Sequence, residues 1–454
     1  MINQSHAMEV LYRALKHSAA DQTEAVLMSE KTDLTRFAES TINQNISQEE
    51  TTLVITAVNE KKVGIATTND LSNDGIKKAV ESAVTISKLQ KPDERFVSFP
   101  DKEMAPKLDK TVTVEANLDF TPADMAEVVL QAAKEAKVKN LTASGAFRHD
   151  INTVAVANSL GVEQFGRFGK SELSLTISGE GEQSGYGIAF SPDPSKIDYS
   201  TAIAKAVDIA SRNINPIVLP DGQYTVILEP AAVGQLLLFL SFLGFGGRTM
   251  AQRRSFLSGK TGELITGEKI SISDEADNPI FGTLLFDYEG VPKKRITPIK
   301  NGTAGEGAFD SYYANLMQTQ PTGHSVQPNN GFGPYPKHMV MQPGDKTIEE
   351  MIASTEKGVL ITHFWYINYL NPMRTMITGT TFDGTFLIEN GQVGSAIKNM
   401  RTNQSILEAF SNAEMLSKER IVYPQYASLM QVPAMKINNF NLVQETKEEW
   451  EGSC

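Results

Sequence analysis

The chain has one cysteine in 454 residues, and it is the last residue, Cys454. That excludes an internal disulfide and a cysteine-rich metal cluster, and the usage fits a reducing compartment. Basic residues are also in deficit: 42 Lys plus Arg against 54 Asp plus Glu give a formal charge of −12. Sequence-independent nucleic-acid binding rests on neutralising phosphates, so no nucleic-acid partner is expected. The triplet Lys293–Lys294–Arg295 does not change that balance and reads as a solvated loop. Long apolar runs are missing too. The greasiest stretch, residues 231–245, falls short of a membrane span and reads as a buried core helix. The opening MINQSHAMEVLYRALKHS lacks the apolar centre of a signal peptide. The expectation is a cytoplasmic protein without a membrane partner.

Recognisable catalytic patterns are absent as well. The six histidines are His6, His17, His149, His324, His338 and His363, and no two are spaced as a local zinc-binding pair. There is no G-x-S-x-G elbow and no P-loop. Asp193, Asp274, Asp277 and Asp287 form neither a calcium loop nor a paired-carboxylate motif. His149, next to Asp150, reads as a hairpin turn residue, and His363 in VLITHFWYINY as a packed strand residue. His324 stands out because Pro321–Thr322–Gly323–His324–Ser325 lies in a long Gly/Pro loop, where function often resides. Its competing role is a loop-stabilising hydrogen bond.

What is present is length and periodicity. A chain of 454 residues exceeds one ordinary core, so two domains are expected. Met8, Leu11, Tyr12 and Leu15 mark a first helix, extended segments follow over 25–68, and Ile76 to Leu89 is a second helix. A polar connection runs to Glu115. Thr121–Pro122–Ala123–Asp124 then caps a third helix. Strands are predicted at 141–149, 153–158, 163–178 and 186–190, with a helix over 195–213. Helix, strands and helix thus occur twice, which reads as one α+β domain over 1–220 and a candidate for diverged duplication. Pro216, Pro220 and Asp221–Gly222 mark the boundary. Residues 221–454 read as a β-rich domain around a buried helix. Its expected strands include 270–272, 281–288, 358–369, 375–381, 384–389, 392–398 and 432–442. Helices are expected at 347–356 and 405–416, and the acidic ETKEEWEGSC as a frayed tail.

That second domain is organised by Tyr224–Ile265. A strand, Tyr224–Leu228, leads through Glu229–Pro230 into a helix apolar on every side, Ala231–Phe245. Gly244, Gly246 and Gly247 are expected to close it in the left-handed conformation. Arg248, Arg253 and Arg254 follow. Their planar forks suit peptide carboxylates, or the acidic surface of this chain or a partner.

The order of segments resembles the TldD/PmbA family of microcin-processing, "modulator of DNA gyrase" proteins. The resemblance lies in RFAESTINQNISQEE and VGIATTNDLSNDGIKKAVESA, then FGTLLFDYEGVP, PTGH, GVLITHFWY, GTTFDGTFLIENGQV and VPAMKINNF. It implies a zinc peptidase built from two related chains, one of which carries H-E-x-x-x-H on the helix after the boundary and a later cysteine ligand. There a metal-bound water, giving its proton to a carboxylate base, would attack a peptide carbonyl. Counted back from Ser258–Gly259, these positions fall on Leu238–Phe239–Leu240–Ser241–Phe242–Leu243. Leu238 and Leu243 replace the histidines, Phe239 replaces the glutamate, and no cysteine precedes Cys454. The resemblance therefore implies a TldE/PmbA-type chain with no metal or cofactor of its own. Zinc is expected in a TldD-like partner carrying H-E-x-x-x-H, the substrate is an unfolded peptide, and His324, Arg248, Arg253 and Arg254 are channel candidates.

Two alternatives remain open at this level. One is a self-contained metallopeptidase whose ligands His324, His338 and His363 converge in space. The other is a homodimer that binds extended peptides along an exposed sheet edge. A link to gyrase, if one exists, is most simply a processed peptide that acts on gyrase, since nothing in so acidic a chain favours DNA contact.

Overall fold

The computed structural model describes residues 1–108, 120–328 and 331–444; part of the predicted polar connection and the acidic tail lie outside them. The first half begins with helix α1 (Gln4–His17), then β1 (Gln22–Ala38), β2 (Thr41–Asn59), β3 (Lys62–Thr68) and α2 (Asn73–Leu89). The same series follows as α3 (Pro122–Val138), β4 (Thr142–Asn158), β5 (Glu163–Ser178), β6 (Ser184–Ser191) and α4 (Tyr199–Arg212). The strands form one antiparallel sheet, ordered β3-β2-β1-β4-β5-β6, so the two series meet along β1 and β4. The packing repeats with the topology. A Cβ on Gly64 of β3 would lie 2.2 Å from the Ala83 carbonyl of α2, and one on Gly185 of β6 would lie 2.2 Å from the Ala206 carbonyl of α4. In both series glycine lets the helix settle onto the outer strand.

Local signals explain the helices. Thr121 caps α3 in a reciprocal capping box with Asp124, as the spacing predicts. Small and branched residues line the inner faces: Ala7, Val10, Leu11 and Ala14 on α1, and Ile76, Ala79, Val80 and Ala83 on α2, against Leu27, Leu53 and Ile55. Val26, Val54, Val154 and Val156 point to the opposite sheet face, where Leu284, Phe286 and Val291 cover them. That packing accounts for one departure from the expected strands. Residues 281–288 pair as irregular loop rather than strand, because their apolar side chains are spent on the first sheet instead of on a ladder.

His149 is another correction. It is not at a turn: β4 runs unbroken through it, and its ring is 1% exposed with Nδ1 3.0 Å from Ser171 Oγ. The Arg148–His149–Asp150 triplet keeps the strand alternation, with Arg148 bonding Asp150 two residues on and His149 directed to the other side.

The second half opens with β7 (Gly222–Leu228) and α5 (Pro230–Leu240). Then come β8 (Ile272–Asp274), β9 (Ile296–Lys300), β10 (Thr303–Ala304), β11 (His338–Met341) and β12 (Lys357–Asn371). The remaining strands are β13 (Met376–Glu389), β14 (Gln392–Ala396), β15 (Met400–Ser405), β16 (Ala413–Gln425) and β17 (Ser428–Gln444). The eleven form one sheet, and within it β7 pairs with both β12 and β17. Strands β7, β12, β13, β15 and β17 therefore close a ring. Helix α5 packs against this assembly, and Leu236, Leu237, Leu238 and Leu240 are at most 1% exposed. The helix expected over 405–416 stops at Ser411, and the chain turns into β16. The architecture is α+β: an antiparallel sheet with helices, and a strand-rich part around a buried helix.

Candidate functional site

The site is built around α5. Pro230 occupies its first turn, where a missing N–H costs nothing. Glu229, just before it, pairs with Lys205 of α4 and ties the helix start to the first half. At Gly234 the helix lies against Tyr423, where an added Cβ would sit 2.7 Å from the ring. The glycines at the far end do not close the helix in the left-handed conformation. Instead the helix widens into a π turn, Ser241–Phe245, and Gly246 is extended at φ −94°. Glycine is required there for close approach: a Cβ on Gly244 would be 2.2 Å from the Phe256 ring, and one on Gly247 2.5 Å from Phe309.

The π turn falls on the stretch of interest. On a regular α-helix, positions five apart diverge by about 140°. A turn with i→i+5 bonding narrows that angle and recurs at functional sites. Leu238 and Leu243 bracket the transition and are 0% and 4% exposed. Phe239 is half-buried and faces a cavity of about 500 Å³, whose walls include Tyr186, Gln235, His363, Tyr423 and Tyr426. None of Leu238, Phe239 and Leu243 offers an electron pair to a metal, so these positions do not fit zinc.

Several polar groups at that cavity lie against one another. Gln235 donates to the Phe364 carbonyl at 2.8 Å and accepts from the Phe364 N–H at 2.9 Å. Its amide nitrogen also lies 3.2 Å from His363 Nε2, and His363 Nδ1 lies 3.4 Å from Asp383 Oδ2. The Tyr186 ring stacks on His363 at 4.2 Å, and burial pushes its phenol up well beyond the ordinary range. His363 is thus stacked on one face and hydrogen-bonded at Nε2, with the Asp383 carboxylate near Nδ1 but not hydrogen-bonded to it. The expectation of a packed strand residue matches this geometry.

A second cavity, of about 280 Å³, lies between the first sheet and the loops after β8. His324 and His338 both line it. His324 is 4% exposed; its Nδ1 lies 2.9 Å from Thr322 Oγ1 and its Nε2 3.3 Å from Asp274 Oδ1. The other Asp274 oxygen accepts the His338 N–H at 2.8 Å. Burial alone would raise the Asp274 carboxyl, but His324 and the His338 amide outweigh it and hold it below the ordinary carboxylate range. His338 is driven well below the usual imidazole value, first by burial and then by the charge of Lys293.

Lys293 also lines this cavity, which corrects the solvated-loop reading of the basic triplet. Arg295 does face solvent and pairs with Asp277 at 2.7 Å, but Lys293 is turned inward. Alternation past Pro292 was the available signal, and composition masked it. Arg253 and Arg254 are exposed, Arg248 is half-buried, and none of the three lines either cavity. His324 and His338 share one cavity while His363 lines the other, so the three do not gather as one ligand set. Among the described residues no group of three or more His, Cys, Asp or Glu is placed to hold a metal. No helix among them is long and apolar enough to cross a membrane.

Comparison with known proteins gives this arrangement its context. Residues 221–444 match the PmbA/TldA metallopeptidase C-terminal domain, and residues 23–87 match domain 1 of the same metallopeptidases. The chain belongs to the PmbA/TldD family. A Metalloprotease TldD homolog of Haemophilus influenzae is 26% identical over 47% of this chain and 44% of its own length. The Metalloprotease PmbA homolog of the same organism is 25% identical over 73% and 72%. The chain spans about half the length of the first two curated relatives. Among solved structures, TldE from Thermococcus kodakarensis superposes with TM-score 0.88 at 23% identity, covering 96% of this chain and 99% of that one. A putative modulator of a DNA gyrase from Thermotoga maritima gives 0.82 at 17%, covering 96% and 100%. At these identities the structural likeness establishes the fold, and the PmbA/TldD membership rests on the sequence matches.

Proposed function

We propose that this chain is the metal-site-less subunit of a TldD/TldE-like peptidase assembly that degrades or matures peptides. The observation that carries the reading is the state of α5 and its π turn. Leu238, Phe239 and Leu243 put hydrocarbon where the resemblance places the metal ligands and the base, on a helix that widens into a π turn and so brings residues five apart toward one face. A helix of that shape without ligating side chains is what a subunit retained for its shape would show. Zinc then belongs to a TldD-like partner carrying H-E-x-x-x-H, and the residues here neither bind it nor shuttle a proton.

The surface supports a partnered role. Strand β12 carries Trp365, Tyr366, Tyr369 and Leu370 outward, and each is between 55% and 78% exposed. Clustered exposed aromatics mark interaction surfaces. Arg248, Arg253, Arg254 and His324 remain the channel candidates. The arginines would contribute at a surface, because they line neither described cavity.

The test is co-expression with an H-E-x-x-x-H paralogue in the cytoplasm. A stable complex whose peptidase activity requires both chains is the expected result. A partner that is equally stable and active alone overturns the proposal, as does stoichiometric zinc in this chain when purified by itself.

A further inference from the structure

The cavity of about 280 Å³ holds more positive charge than its own acids answer. Four basic side chains line it: Arg148 and Lys170 from the first sheet, and Lys293 and Lys337 from the second half. The first two are committed. Arg148 pairs with Asp150 at 2.7 Å and Glu30 at 3.1 Å, and Lys170 with Glu172 at 3.0 Å. Among the described residues, neither Lys293 nor Lys337 has a carboxylate or a hydrogen-bond acceptor on its ammonium group. Lys337 Nζ has only the Tyr335 ring, 5.2 Å from the centroid.

The acids whose charge reaches Lys293 are Asp274 and Asp287, and both are engaged elsewhere. Asp274 serves His324 and the His338 N–H. Asp287 accepts the backbone N–H groups of Glu289, Val291 and Ser325, each at 2.9 Å. Lys293 meanwhile repels both Lys337 and His338. Like charges gathered in a half-enclosed space are costly unless an anion completes them. The remaining wall is largely aromatic, with Phe281, Phe286, Tyr288 and Tyr335.

We propose that this cavity binds a small organic carboxylate with an aromatic-sized apolar body, its carboxylate held by Lys293 and Lys337 and its body against Phe281, Phe286 and Tyr335. The volume sits near the lower end of ordinary ligand pockets, which suits one such group rather than a long chain. A phosphate is disfavoured. Phosphate sites draw on free arginine forks and helix N-termini, whereas the single arginine here is bound to Asp150 and the ring surface would go unused. The carboxylate is supplied either by a free aromatic acid or by the C-terminus of a peptide ending in an aromatic residue. The proposal does not depend on the subunit reading.

The experiment is calorimetric titration of the full chain with 3-phenylpropionate, its amide, the tripeptide Ala-Ala-Phe and inorganic phosphate. The acid should bind, and the amide at least about tenfold more weakly. Lys337→Met should weaken the acid about tenfold or more while raising the melting temperature of the ligand-free chain, since an unanswered charge is removed. Lys337→Arg should recover part of the affinity. Affinity for the acid should fall as pH rises past about 8, where burial and the neighbouring Lys293 place the Lys337 ammonium. Tighter binding of the tripeptide assigns the site to peptide C-termini, and tighter binding of the free acid assigns it to small aromatic acids. No binding of acid or tripeptide up to about 10 mM, equal binding of acid and amide, or displacement of the acid by phosphate overturns the proposal. Lys293→Met is a second probe, and if it fails to fold, Lys337→Met decides.

Discussion

The two cavities sit on either side of the same helix end and treat polar groups in opposite ways. Phe239 faces the larger one, the Phe242 ring packs 5.1 Å from Tyr335 on the smaller one, and Tyr426 lines both. In the larger, Gln235 engages His363 Nε2 and the Phe364 backbone, and Asp383 stands 3.4 Å from His363 Nδ1, while among the described residues His363 Nδ1 and Asp383 Oδ1 make no hydrogen bond. In the smaller, among the described residues, two lysines have no carboxylate or hydrogen-bond acceptor on their ammonium groups, and the acids whose charge reaches Lys293 are bonded elsewhere. A histidine beside a cavity therefore says little by itself. What separates the two cavities is whether a charged end is left without a direct partner.

The contrast can be tested by breaking each side. The largest effect is expected from Asp274→Ala, which removes the carboxylate 3.3 Å from His324 Nε2 and leaves the His338 N–H unpaired inside the protein. Removing one member of a buried pair costs about 3–5 kcal/mol, to be read from urea unfolding. If the loss is below about 1 kcal/mol, the smaller cavity is not held together by this pair. Leu238→Ala on the apolar side should cost about 2–5 kcal/mol, because the side chain is 0% exposed, and half-buried Phe239→Ala should cost less. Equal losses at the two positions would mean that Phe239 does not face open space.

A pH series separates the regions further. Glu24, 5% exposed, is raised from 4.5 to about 8 by burial and then by the charge of Asp287. Below pH 4.5 folded and unfolded chains are both protonated there. Between 4.5 and 8 only the unfolded chain ionises, so the stability held by the protonated group drains away as pH rises. Glu24→Gln should therefore leave stability nearly unchanged at pH 4 and raise it by about 2–4 kcal/mol at pH 9. A gain that does not vary with pH would show that this carboxyl does not titrate in that window. At the small end, Arg253→Ala and Arg254→Ala should shift stability by less than about 0.5 kcal/mol, since both side chains are exposed. Loss of peptidase activity in a reconstituted assembly without such a shift would identify them as substrate contacts.

Much of the fold was readable from residue pattern. The Thr121–Asp124 box, the paired helix–strand series and the buried α5 all follow from local chemistry and period. What was not readable depended on distant partners. Residues 281–288 alternate like a strand but meet the first sheet instead of a ladder. His149 looked like a turn residue because its neighbours are charged, yet they serve the opposite face of β4. Of the site, the hydrocarbon at Leu238, Phe239 and Leu243 was visible only against the family pattern. The inward turn of Lys293 and the pairing of His324 with Asp274, 50 positions earlier in the chain, exist only once the loops are folded.

The ring of strands also sets an order of events during synthesis. Its closure pairs Ile227 with Lys436, so the first strand of the second half waits for the last one described. Until then α5, leucine on almost every side, has been made but lacks its cover from β17. Contacts this distant in sequence form slowly, and the exposed helix is prone to aggregate meanwhile. The nascent second half is thus a natural client for a chaperone, and a chain that stops before Ser428 should be captured by one rather than accumulate in soluble form.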